Sequence, residues 1–283
     1  MKSFCIKTNN QELINYLLKN LEASSLENIY FISKEFKCYK NVIVHHLGKN
    51  ISQFLINLSD ILTEAVLLFY EPILLQRLIN IHYFYFDEYE KKIIENNCFQ
   101  FIVLDEDNMS KYRKEEIWVR ILQYINSNKS MILDGFVNFR LKNYVKSLEE
   151  IVDYSVQQYI IEKEYNDFIN LLKLYIDSKT PELPFVNLIY SNGESILLNE
   201  NKKYIDLGNN IFNAKYLSDI SFSSNDYALN ALLTLLPKKI EIHLVSNYED
   251  EFINTLKLIF GKRISICKSC SLCKTYRILN NAH

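Results

Sequence analysis

The chain has 283 residues, 48% hydrophobic and 23% charged, which is enough apolar content for a substantial core and excludes a disordered chain. A formal net charge of −2 gives no global attraction to nucleic acid or anionic lipid. Only 5 glycines and 4 prolines favour helices over a many-turned β protein, and the 20 Tyr and 17 Phe, beside abundant Lys, Asn and Ile, fit AT-rich codon usage and carry little functional weight.

The opening MKSFCIKTNNQELI lacks the apolar run of a signal peptide. Six cysteines without such a signal are expected in a reducing cytoplasm, where clustered thiols point to metal or redox chemistry before disulfides. KSFCIKT at 2–8 predicts a strand and 11–23 a helix with Leu13, Ile14, Leu17, Leu18 and Leu21 inward. Alternation over 28–36 and 42–46 predicts two more strands. His45 and His46 end the second of these and read as surface residues.

Helices are expected over 51–69, after Pro72, over 89–101, and over 110–125 behind an acidic loop at 105–107. The most apolar stretch, 61–86, carries Glu64, Glu71, Pro72, Gln76, Arg77 and His82, so it predicts a buried helix pair and no membrane span. His82 reads as a core-edge histidine. Residues 136–177 contain no Gly or Pro and predict a spine of one helix, or two nearly collinear ones, about 60 Å long at 1.5 Å per residue. Leu141, Val145, Leu148, Val152, Ser155 and Tyr159 form one stripe, which resumes at Phe168, Leu172 and Ile176 and closes before Pro181.

Beyond Pro184 the period changes. Strands at 185–190 and 195–198 flank Asn192-Gly193, a hairpin signal, and 204–207 could add a third. A helix capped by Ser223 or Ser224, a strand at 240–243, a helix over 249–260 stopped by Gly261, and a strand at 264–267 predict parallel neighbours. The expected fold class is α+β, predominantly helical, with a small α/β unit at 1–50, a helical region at 51–180 and a C-terminal α/β domain at 181–283.

One constellation carries chemistry. Cys267, Cys270 and Cys273 stand at C-x2-C-x2-C, and cysteines used as small hydrophobes have no reason to cluster. Zinc takes four tetrahedral N or S ligands, so a fourth is required. KKIEIH and KRISIC align Ile240 with Ile264, Ile242 with Ile266 and His243 with Cys267, which would put His243 and Cys267 on one face of adjacent strands. The expected site is Cys267, Cys270, Cys273 and His243 around structural zinc, with His283 the rival fourth ligand. After Glu251 every charged side chain is basic, which suits three thiolates. An iron–sulfur cluster is less favoured because no further cysteine follows. A Cys267/Cys270 redox pair is less favoured because no helix is expected behind it, and a cysteine-rich tail that binds nothing remains the plain alternative.

Glu162, Lys163, Glu164 and Tyr165 form a polar patch on the spine, where solvated charge is the ordinary reading and a functional site the sharper one. The basic tail offers only Tyr276 for stacking, so nucleic-acid binding is disfavoured.

FRLKNYVKSLEEIVDYSVQQYIIEKEYNDFINLLK, LLTLLPKKIEIH and IFGKRISICKSCSLC, over about 138–273, resemble the YtxC-like sporulation family of endospore-forming Firmicutes. Segments 139–142 and 162–165, His243 and the three cysteines fall where that family's distinctive residues fall. The resemblance implies a role in sporulation and a C-terminal motif that works as a unit; it implies no activity and no cofactor. The expected function is a non-enzymatic interaction or scaffold protein with an unknown protein partner. The alternatives are an enzyme with its site between the spine and the C-terminal domain, and weak nucleic-acid binding by the tail.

Overall fold

The computed structural model describes residues 2–24, 28–104, 109–205, 223–246 and 248–280. The expectations at 105–107, 206–207 and His283 lie outside these residues. Alternating side chains make strand β1 (Lys2–Thr8), which buries Phe4, Ile6 and Thr8 on one face. Asn10 caps helix α1 (Gln11–Ala23) by accepting the Leu13 N–H at 3.1 Å, and Leu13, Ile14, Leu17 and Leu21 are buried along it. Strands β2 (Ile29–Glu35) and β3 (Lys40–His46) pair antiparallel, and β3 also pairs antiparallel with β1. A short strand absent from the sequence reading, β4 (Ser130–Ile132), adds parallel to β1 and completes the order β2-β3-β1-β4.

Helices α2 (Ile51–Phe69), α3 (Glu71–His82), α4 (Glu88–Leu104) and α5 (Met109–Ser127) follow, then α6 (Leu133–Arg140) and α7 (Lys142–Ser178). The spine is therefore broken at Leu141, whose backbone (φ −100, ψ 38) leaves the helical region although neither Gly nor Pro stands there. Packing makes the break: Leu133, Phe136 and Val137 of α6 are buried, and Leu141, Tyr144 and Leu148 bury the start of α7. The expected stripe of α7 lies inward through Leu148, Val152, Ser155 and Tyr159. Farther along it is Ile169 and Ile176 that are buried; Phe168, expected inward, is exposed.

The chain divides into two compact units, Met1–Ile161 and Glu162–His283. In the first, β1 and β3 share a single core with α1 to α7, so residues 1–50 pack on the helices that follow them.

In the second unit, β5 (Phe185–Ser191) and β6 (Glu194–Asn199) form the expected hairpin. Its turn holds Asn192 at φ 51 and Gly193 at φ 83, the paired positive values that Asn-Gly supplies most readily. Helix α8 (Ser224–Leu235) opens on a capping box between Ser223 and Asp226. Strand β7 (Lys239–Leu244), helix α9 (Glu251–Phe260), a 3-10 turn at Gly261–Arg263, strand β8 (Ile264–Cys267) and helix α10 (Ser271–Asn280) complete it. The sheet order is β6-β5-β7-β8, with β5–β7 and β7–β8 parallel. The fold is thus α+β and predominantly helical, and no helix among the described residues is long and apolar enough to cross a membrane.

The second sheet has two unequal faces. Val186, Leu188, Tyr190, Ile240, Ile242 and Leu244 face a large core with α8, α9 and Ile169 and Ile176 of α7. The residues between them face the other way, where, among the described residues, Ile189, Leu198 and Val245 pack with Ile196 and with Leu272 and Tyr276 of α10. His243 and Cys267 belong to this second face, under α10.

Candidate metal centre

Strand alternation puts Asn187 and Ile189 of β5, His243 of β7 and Cys267 of β8 on the face under α10. The parallel register pairs Ile240 with Ile264, Ile242 with Ile266 and His243 with Cys267, as the aligned strand sequences imply. After Cys267 the chain turns through Lys268 to Cys270 and enters α10, which carries Cys273 in its first turn. A helix does follow the cysteines, contrary to expectation, so the reason for setting a Cys267/Cys270 thiol pair aside does not hold. The short polar sequence of α10 hid it; among its described side chains, half-buried Leu272, Tyr276 and Arg277 and buried Cys273 mark the inward side.

Four donor atoms converge. His243 Nδ1 lies 3.2 Å from Cys270 Sγ and 3.6 Å from Cys273 Sγ. Cys273 Sγ lies 3.7 Å from Cys270 Sγ and 3.9 Å from Cys267 Sγ, and all four donors fall within 4.8 Å of one another. With Zn–S about 2.3 Å and Zn–N about 2.0–2.1 Å, tetrahedral neighbours stand roughly 3.8 Å apart for two sulfurs and roughly 3.6 Å for nitrogen and sulfur. The donor set therefore has the size of a single tetrahedral ion's shell. All six cysteines of the chain are free thiols.

The surroundings suit ligands that must lose protons. His243 is 2% exposed, and burial depresses its pKa, with Lys202 adding to the fall and Glu241 opposing it. The imidazole is accordingly neutral near pH 7. Burial pushes the Cys270 thiol up, but the Cys273 and Leu272 backbone and the Cys267 and Cys273 side chains outweigh it and bring its pKa below the ordinary value. Cys273 goes the other way: burial, then its side-chain hydrogen bonds with Cys270 and Cys267, in which it keeps its proton, push it up to about 12. One thiol of the group thus ionises first at the expense of its neighbour, and a cation would be needed to hold all three as thiolates.

Arg277 fastens the helix from outside the cluster, donating from Nε to Val245 O at 2.8 Å and from Nη2 to Lys268 O at 2.7 Å. Lys257 and Lys268 both approach Glu249. The basic tail is thus partly engaged within its own unit.

The remaining candidates are scattered. Glu162, Lys163, Glu164 and Tyr165 lie exposed on α7, with Tyr165 Oη 2.8 Å from Thr255 Oγ1. His46 is not a surface residue: it is 3% exposed and stacks on Phe54 at 5.1 Å. His45 Nδ1 pairs with Ser3 Oγ at 2.7 Å, and His82, at the end of α3, is exposed, not at a core edge. Sequence reasoning missed two polar groups. One is Asn187, within reach of His243. The other is a buried charge cluster, where Arg113 Nη1 and the Tyr144 hydroxyl both donate to Glu71 Oε2 at 2.7 Å. The i to i+42 and i to i+73 separations leave no local trace of the latter.

The YtxC-like family model matches residues 56–265, about three-quarters of the chain. The match reaches farther toward the N-terminus than residues 138–273 alone would suggest. It includes His243 and Asn187 and ends two residues before Cys267. A Bacillus subtilis (strain 168) protein named "Uncharacterized protein YtxC" is 24% identical over 138 residues, which is 47% of this chain and 46% of that protein. The chain thus matches about half the length of that relative. No solved structure matches.

Proposed function

The chain belongs to the YtxC-like family, and from that premise and the site geometry we propose that it is a non-enzymatic interaction or scaffold protein whose C-terminal unit is fastened by a structural Cys3His zinc site. Cys267, Cys270, Cys273 and His243 are the ligands of this reading. The observation that carries it is their convergence within 4.8 Å from two neighbouring strands, the turn after β8 and the first turn of α10. Bound zinc would supply a neutralising charge and four directional bonds, and four protein ligands leave no position for water or substrate. The site would hold α10 on the sheet where Leu272 and Tyr276 give little apolar contact. Donors this close leave room for one ion and none for a multi-iron core, which favours zinc over an iron–sulfur cluster.

Exposed apolar side chains support a binding role. Ile81, Phe84, Tyr85 and Tyr89, at the end of α3 and the start of α4, are each more than half exposed. The resemblance of residues 138–273 to a sporulation family supports a role in spore formation as part of this reading.

The test is metal content by mass spectrometry on protein purified anaerobically without chelator. About one zinc per chain in the wild type, lost in Cys273→Ser and His243→Ala, is the expected result. Metal-free wild type, or iron with acid-labile sulfide, would overturn the zinc reading.

A further inference from the structure

His243 has two ring nitrogens, and only one faces the cysteines. Nδ1 does so, at 3.2 Å from Cys270 Sγ. To ligate a metal, Nδ1 must present a lone pair, so in the neutral ring the proton must sit on Nε2. Nε2 lies 3.0 Å from Asn187 Oδ1. An amide oxygen only accepts, so this contact is a hydrogen bond when Nε2 carries the proton and a repulsion between two acceptors when it does not.

Which end of the Asn187 amide faces His243 is itself determined. Asn187 Nδ2 donates to the carbonyl of Asn199 on β6 at 3.1 Å, which turns Oδ1 toward β7. Asn187 is 5% exposed and His243 2%, so water does not compete freely for either group. Among the described residues, Glu241 Oε2 also approaches Nε2, at 3.8 Å, beyond hydrogen-bond length and partly exposed. Neighbouring strands β6, β5 and β7 thus form a relay from the Asn199 carbonyl through the Asn187 amide to the His243 ring.

We propose that Asn187 is the positioning residue of the metal centre: it selects the Nε2–H tautomer of His243 and aims Nδ1 at the ion. This rests on the zinc reading above. Outer-shell partners of ligating histidines fix ring orientation and raise ligand basicity, and their loss costs about 10–100-fold in affinity.

The experiment compares wild type, Asn187→Leu and Asn187→Asp in the full chain. Zinc affinity is read by competition with a chromophoric chelator, and the imidazole tautomer of the metal-free protein by long-range 1H–15N correlation; far-UV circular dichroism controls for folding. Leucine removes the acceptor at similar volume. Aspartate keeps an acceptor toward Nε2 and gives up only the Asn199 bond. The expected result is protonated Nε2 in wild type and Asn187→Asp, mixed tautomers in Asn187→Leu, a loss of about 10–100-fold in affinity for leucine, and rescue to within a few-fold by aspartate. Leucine binding zinc as tightly as wild type, or equal weakening in both variants, would overturn the role of Asn187 while leaving the zinc site standing. A wild type that takes up no zinc would remove the site, and this role with it.

Discussion

His243 and Cys267 are directly paired residues on neighbouring parallel strands, and their side chains share the sheet face beneath α10. Neither could reach the other from a slipped register, because a one-residue shift sends a side chain to the opposite face. If both are ligands, Cys267→Ser should weaken zinc binding by roughly 100-fold or more, beyond the loss typical of an outer-shell partner. Cys38→Ser, at an exposed position outside the cluster, should change nothing. Chelator competition on the two variants checks this.

Metal removal should act locally. A helix of 10 residues is marginal in water on its own, and α10 docks through Leu272 and Tyr276 with Arg277 as an outer clamp. Chelation should speed amide hydrogen exchange across 264–280 by at least about tenfold. Exchange in β1, β3 and α2 should stay unchanged. Equal acceleration in both units would contradict a local fastening.

The buried cluster of Glu71, Arg113 and Tyr144 should be the most sensitive polar feature of the first unit. Among the described residues Arg113 Nε has no hydrogen-bond partner, and the carboxylate that pairs with the guanidinium is that of Glu71. Glu71→Ala strands that cation and should cost about 3–5 kcal/mol. Tyr144→Phe removes one hydrogen bond to a carboxylate and should cost about 1.5–3 kcal/mol. The single tryptophan, Trp118, whose Nε1–H donates to Asp60 Oδ1 at 2.7 Å, reports urea unfolding of this unit by fluorescence.

Alkali should destabilise the fold through its tyrosines. Burial first, then the hydrogen bond to Asp153, pushes Tyr83 up to about 12, and burial with the bond to Asp250 does the same for Tyr190. A folded pKa above the unfolded value near 10 means the folded state holds the proton more tightly. The associated stability is complete below about pH 10 and is lost as pH rises through about 12. Absorbance at 295 nm should show these two phenols ionising late, and Tyr83→Phe should flatten the decline of melting temperature over that window.

Thiol reactivity should separate the cysteines. Burial pushes Cys98 up to about 11, and Cys38 is exposed. Iodoacetamide at pH 8 should label Cys38 quickly and leave Cys98 untouched until the protein unfolds, which peptide mass mapping will show.

Much of this arrangement was legible in the chain. Helices at 11–23 and 51–69 begin and end where their apolar periodicity and polar caps say they should. The hairpin at Asn192-Gly193 follows from its turn residues, and the pairing of β7 with β8 from two strands with matching alternation. Other features left no local mark. β4 is three residues long, too short for a period, and forms only because β1 offers an edge. The break at Leu141 has no Gly or Pro, and His46 looks polar until Phe54 covers it.

Residue order is enough to say which side chains share a face, because the strand period of two and the helix period of 3.6 are set by backbone geometry that every residue obeys. It therefore put His243 and Cys267 at matching positions of two like-patterned strands, and three thiols within seven residues. Packing set the rest: that α10 covers that face, that the spine is interrupted at Leu141, and that Asn187, 56 residues before His243, meets Nε2 at 3.0 Å. Such contacts depend on which strands become neighbours and on how each amide is turned by a third strand. Those are free-energy choices of the whole packed unit, and no stretch of residues carries them alone.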